Sequence, residues 1–260
     1  MTDHVIDIGT TERFRASAAA QGLPPAEVEE WIRTVLPKAG LTARGDGPAA
    51  GRYGGDAPLP PGAPDPSLPF VASVDCAALP PGSTGLPLPP DGRLLLFAHP
   101  DLDGDGPQPD AVRYVPAGSP VVPRRRDGNR DPFPERALFL APGSLSAQQP
   151  EDFADGWWGE PELEHYDLAG DLGDAWDDAY DGDHTGFQLG GNPLTRNTHP
   201  VRTIARHRAL EEEAGEWVLL AAWLCGEDVP DLEDGIVHWV IPRGDLAALR
   251  FDRVEVHVEI

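Results

Sequence analysis

The last residues of the chain alternate without a break. Val254, Val256, Val258 and Ile260 fall on one side, Glu255, His257 and Glu259 on the other. A period of two predicts a strand with one buried face. Denser apolar runs upstream predict further strands: Phe70–Cys76, Leu94–Phe97, Val112–Val115, Trp217–Cys225 and Ile236–Ile241, with a short one at Ala137–Leu140. Helical spacing stands out once. Val28, Trp31, Ile32 and Val35 follow i, i+3, i+4, i+7 after Pro24-Pro25, with Glu27, Glu29 and Glu30 near the N-terminus and Pro37 as the stop. Weaker helical patterns cover Thr11–Ala20, ended by Gly22, and residues 201–214. Residues 38–68, rich in glycine and proline, and residues 119–135 are predicted as surface loops.

The strands and turns recur in one order. Tyr53-Gly54-Gly55 precedes Phe70–Cys76, then Asp91-Gly92, Leu94–Phe97, Asp101-Leu102 and Val112–Val115. Leu189-Gly190-Gly191-Asn192-Pro193 precedes Trp217–Cys225, then Asp234-Gly235, Ile236–Ile241, Asp245-Leu246 and the final strand. Both series end the first apolar run on a cysteine, and Asp91 to Val112 spans 21 positions against 20 for Asp234 to Val254. The shared order predicts an internal duplication at about 53–115 and 190–260 within a single domain, residues 1–260, with Leu95 and Val237 in the core. The fold class expected is α+β: strand-rich, an internally duplicated β unit with a few peripheral helices.

These same residues resemble the YwqG-like family (DUF1963). The resemblance rests on Gly54-Gly55 before a proline-rich loop, Leu94–Phe97 after Asp91-Gly92, Leu189–Pro193 before Trp217–Leu220, and the closing Asp245-Leu246 with Arg250–Val254. It runs from about Trp31 to Ile260 and implies a duplicated α+β fold. It supplies no catalytic residues. The genomic neighbourhood of some members implies an interaction role of the immunity kind. Where the family tends to carry glutamine in the first apolar run of each repeat, this chain has Ser73 and Ala222, and Glu233 stands where a tryptophan is common.

The formal net charge is −24, which disfavours nucleic acid and anionic membranes and suits a basic protein partner. No apolar run approaches a membrane span, residues 1–21 lack the apolar core of a leader, and two cysteines fit a reducing compartment, so a cytoplasmic protein is expected. Lys38 is the only lysine beside nineteen arginines, which argues against lysine-based chemistry. The charge concentrates in residues 151–183, with thirteen Asp and Glu and no Lys or Arg. Aromatic residues interleave with the acids. Trp157, Trp158, Tyr166 and Trp176 are the candidate partner-binding residues, and core packing of these rings is the competing reading.

Catalytic signatures are missing from the sequence. There is no His-x-x-x-His pair, no Gly-x-Ser-x-Gly elbow and no phosphate-binding loop, and no cofactor or metal is expected. Asp101-Leu-Asp-Gly-Asp-Gly106 opens like a calcium loop, but Val112 takes the place of the closing glutamate. Asp181, Asp183 and His184 form a second acidic cluster. The sequence therefore favours a non-catalytic protein-binding module. The alternative is a metal-dependent hydrolase built on Asp101–Asp105 or Asp181–His184.

Overall fold

The computed structural model describes residues 8–45, 47–99, 106–107, 110–125, 133–141, 145–180, 182, 186–210, 216–227, 229 and 234–259. In chain order the helices are α1 (Ile8–Gln21), α2 (Pro25–Thr34), α3 (Pro150–Trp158), α4 (Leu163–Ala179), α5 (Pro200–Leu210) and α6 (Arg243–Ala247). The strands of the N-terminal half are β1 (Leu36–Thr42), β2 (Ala49–Tyr53), β3 (Ala57–Leu59), β4 (Phe70–Asp75), β5 (Arg93–Phe97), β6 (Gly106–Pro107), β7 (Val112–Val115) and β8 (Val122–Arg124). Those of the C-terminal half are β9 (Arg136–Leu140), β10 (Leu145–Ser146), β11 (Phe187–Gly190), β12 (Trp217–Leu224), β13 (Ile236–Pro242) and β14 (Glu255–Glu259). This is the strand-rich α+β class that the patterning predicts.

One antiparallel sheet carries nearly all the strands, in the order β6-β14-β13-β12-β11-β1-β9-β2-β4-β5-β7, with β10 beside β1. A separate ribbon pairs β3 with β8. The sheet ends on β6 and β7, yet Val112 follows Pro107 by only five residues. Five residues reach at most about 18 Å, so the sheet must curl until its ends approach. The curl encloses one core drawn from both flanks, including Val71, Leu94, Leu96, Leu189, Leu220, Trp223, Val237 and Trp239. Trp239 bridges it by donating its indole N–H to the Phe97 carbonyl at 3.0 Å.

The two flanks share a register. Ser73 lies opposite Leu95 and Ala222 opposite His238, and each pair of strands shifts register at one place, between Phe70 and Ala72 and between Leu219 and Ala221. Leu94–Phe97 and Ile236–Ile241 thus occupy corresponding positions in the strand order. The cysteines correspond as well: Cys76 N–H donates to the Gly92 carbonyl at 3.0 Å and Cys225 N–H to the Gly235 carbonyl at 2.8 Å. β2 and β11 both end in paired glycines of positive φ, 64° and 72° at Gly54 and Gly55, 64° and 76° at Gly190 and Gly191. Side chains could not follow there. A Cβ on Gly54 would lie 2.5 Å from the Phe133 carbonyl oxygen and one on Gly190 2.3 Å from that of Thr84. Counted outward from the Thr42–Phe139 pair the registers of the two flanks match, with β1 seated beside β11 and β9 beside β2.

Three predictions of local structure are corrected. Residues 38–68 and 119–135 are not simply loop, because β1, β2 and β3 lie within or begin just before the first stretch and β8 lies within the second. Pro37 is tolerated where β1 pairs with the two-residue β10, and its interior residues Ala39 and Leu41 are buried in the core. The helix before it stops at Thr34, not at Pro37. Finally, β14 has no solvent face: Glu255, His257 and Glu259 are buried beneath α5 and the segment leading into it.

Candidate functional site

The acidic segment folds as two helices that stack on α1 and α2. Periodic apolar residues of α4, Ala169, Leu172, Ala175, Trp176 and Ala179, face inward to join Phe14, Trp31 and Phe153 in a second core. Ring contacts tie it together: Phe14 to Trp176 at 5.4 Å and Trp31 to Phe153 at 5.0 Å between centroids. Trp176 is 3% exposed. It is therefore a core residue and not a surface anchor, since its side chain fills the gap between α1 and α4.

The other three aromatic candidates gather where α3 turns into α4. Gly159, at φ 73°, ends α3 and reverses the chain. Trp157 and Tyr166 are 42% and 37% exposed, and Leu163 at the start of α4 is 77% exposed. Trp158 is half-buried, stacked on the His165 ring at 4.6 Å and edge-on to Phe153 at 5.7 Å. Tyr166 donates its hydroxyl proton to Asp155 at 2.8 Å, an interaction that raises its pKa above the ordinary phenol value. Glu160, Glu162, Glu164 and Asp167, on the same stretch of chain, are exposed. The corner thus presents exposed apolar side chains on a stretch rich in carboxylates.

Below this layer, against the outer face of β1 and β11, lies a cleft of about 600 Å³. Its floor carries Lys38 and Gln188, one wall carries Trp31, Trp176 and Tyr180, and Glu151, Asp174 and Asp177 stand exposed around it. The facing wall is fixed by Asn192, which donates its amide to the Thr34 and Ser146 carbonyls at 2.8 and 2.9 Å. Gln188 donates to the Gly190 and Asn192 carbonyls at 3.0 and 2.9 Å. Lys38, the single lysine, is only 8% exposed. Its ammonium lies 5.8 Å from the Tyr180 ring centre, and burial lowers its pKa below the ordinary lysine value.

A third polar group escaped the sequence reading. His238 is fully buried and donates Nε2–H to the Leu194 carbonyl at 2.9 Å. Glu259 accepts backbone N–H bonds from Arg196, Asn197 and Thr198 at 3.1, 3.2 and 2.8 Å, and the Thr198 hydroxyl at 3.2 Å. That hydroxyl spends its proton on the carboxylate, so it accepts from His257 Nε2–H at 3.2 Å. Burial pulls the Glu259 carboxyl upward, but the three backbone donors and the His238 charge outweigh it and hold its pKa below the ordinary value. Burial pushes His238 down to about 4, and burial with the Arg202 charge does the same for His199. The arrangement clamps the segment before α5 onto β13 and β14. The signal available in sequence was the run of polar residues at alternate positions of β14, which reads equally as a wet face.

The remaining candidates fall in two groups. Asp101–Asp105, Asp181, Asp183 and His184 lie outside the described residues. Arg124 and Arg125 pair with Asp65 at 2.7 Å and Asp56 at 2.9 Å. Among the described residues no group of three or more His, Cys, Asp or Glu is placed to hold a metal ion. Cys76 and Cys225 are buried free thiols, pushed up to about 11 and about 12 mainly by burial, and such thiols are poor nucleophiles. No helix among the described residues is long and apolar enough to cross a membrane.

A curled antiparallel sheet, with a separate two-stranded ribbon and a cluster of four helices packed on one another, defines a strand-rich α+β class of domain. The chain matches the family described as a domain of unknown function, DUF1963, over residues 51–259, and it belongs to that family. The match leaves α1, α2 and β1 outside it. No curated protein matches the chain.

Proposed function

We propose that this DUF1963 protein is a non-catalytic binding module, of the immunity kind, whose partner is a basic protein. The observation that carries the reading is the α3–α4 corner, where Trp157, Leu163 and Tyr166 are exposed together inside a stretch without one Lys or Arg. Exposed rings on a stretch rich in carboxylates match the division of labour in protein interfaces. Aromatic anchors lose water and supply affinity, and rim charges speed encounter and reject partners of like sign. Trp176 has no part in the contact. The half-buried Trp158, braced by His165, positions its neighbour Trp157.

Capture from lysate of the native cell, with the full chain as bait, tests this. Basic proteins should be retained and should be released as salt rises, because exposed charges are screened beyond roughly 10 Å at 0.1 M. Changing Glu160, Glu162, Glu164 and Asp167 to their amides should slow association. A retained partner indifferent to both changes would place the contact elsewhere.

We also infer that the fold arose by duplication of one five-strand unit, each copy lending its first strand to the other. The matched registers, matched glycine pairs and matched cysteine hydrogen bonds support this reading.

A further inference from the structure

We propose that the cleft over β1 and β11 is a binding site for a small zwitterion of the amino-acid type, its carboxylate held by Lys38 and its ammonium by the acids around the cleft. Burying an ammonium without a counter-ion is costly, and folded proteins normally provide one. Among the described residues no carboxylate lies within ion-pair distance of Lys38, which is mostly buried with its ammonium beside the Tyr180 ring. A cation in a cleft with no carboxylate partner among the described residues favours an acceptor that carries negative charge.

The acids narrow the class further. Glu151, Asp174 and Asp177 line the same cleft and are exposed to solvent. A simple anion approaching Lys38 would meet their repulsion and that of a chain with a net charge of −24. A molecule with a carboxylate at one end and an ammonium at the other meets complementary charge at both. The space suits it, since clefts of about 300–1,000 Å³ hold small molecules, and the Tyr180 ring offers an apolar wall to the carbon skeleton. The cleft needs no contact with the α3–α4 corner, so this inference stands apart from the proposed protein partner.

L-Lysine is the probe, followed by calorimetry and thermal melts on the full chain. L-Lysine should bind and raise Tm. Its methyl ester, which lacks the carboxylate, should bind at least tenfold more weakly. Lys38→Met keeps the shape of the side chain and should abolish the response while leaving the ligand-free Tm equal or higher. Asp174→Asn with Asp177→Asn should weaken L-lysine several-fold. Absence of any response in the unmodified protein would overturn the proposal. So would equal binding of the ester, an unchanged response in Lys38→Met, or acetate alone acting as well as L-lysine. A ligand-free Tm well below the unmodified protein's in Lys38→Met would assign the lysine to the scaffold instead.

Discussion

Replacing His238 with leucine should uncouple the stability of the protein from mild acid. His238 is fully buried on β13, and the register places it where the other flank carries Leu95, so a leucine fits the local pattern of the sheet. Its pKa is about 4 in the fold against an ordinary 6.5. The folded state therefore holds the ring neutral while the unfolded chain protonates, and the unfolded state binds more protons between those two values. Stability is fully present above pH 6.5 and is lost progressively as pH falls towards 4. With these two pKa values, the linkage relation assigns His238 a loss of about 2 kcal/mol between pH 7 and pH 5. The variant should pay at neutral pH instead, by roughly 1–3 kcal/mol, because the Leu194 carbonyl loses its donor. Urea unfolding at pH 7 and pH 5 reads both effects. The gap between the two proteins should close by about 2 kcal/mol at the lower pH, while His199 keeps some acid sensitivity in each. Parallel losses with pH in the two proteins would refute the assignment of a buried neutral imidazole.

Other substitutions test the packing. Leu95→Ala removes a fully buried side chain from the cluster of Ala57, Leu59, Phe70, Phe97 and Val115, and should cost about 2–5 kcal/mol in urea; a loss near zero would contradict that core. Trp176→Ala should cost about 3–5 kcal/mol, whereas Trp157→Ala should change stability by no more than about 0.5 kcal/mol. Equal losses from the two would dissolve the distinction between core and corner. Millimolar calcium should raise Tm little, because Val112 stands where a calcium loop needs its closing glutamate, and β7 places that residue in the core; a clear rise dependent on Asp103 would revive the metal-dependent hydrolase.

The strands with dense apolar runs were legible because burial on both faces leaves a continuous signal, as at Leu94–Phe97 and Ile236–Ile241. β1 was not. It holds Pro37, Lys38 and Gly40, all weak strand formers, and only its central place between β9 and β11 makes it a strand. The helices α3 and α4 were also missed, although Ala169, Leu172, Ala175, Trp176 and Ala179 carry helical spacing. Small alanines among many acids weaken that signal. The corner candidates were named from composition, but composition could not separate the exposed Trp157 from the buried Trp176. Lys38 carried no signal in sequence, because its burial in a cleft with no carboxylate partner among the described residues is a property of the fold. The polar residues of β14 misled for the same reason: alternation marks two faces, and what covers each face is decided by a helix far away in sequence.

The proposed partner contact is tested most directly by comparing capture on the unmodified protein with capture on Trp157→Ala combined with Tyr166→Ala. Both side chains are exposed, so the variant should fold with an unchanged Tm. The account predicts that basic proteins held by the unmodified bait at low salt are missing from the variant. The same proteins held equally by both baits would contradict it.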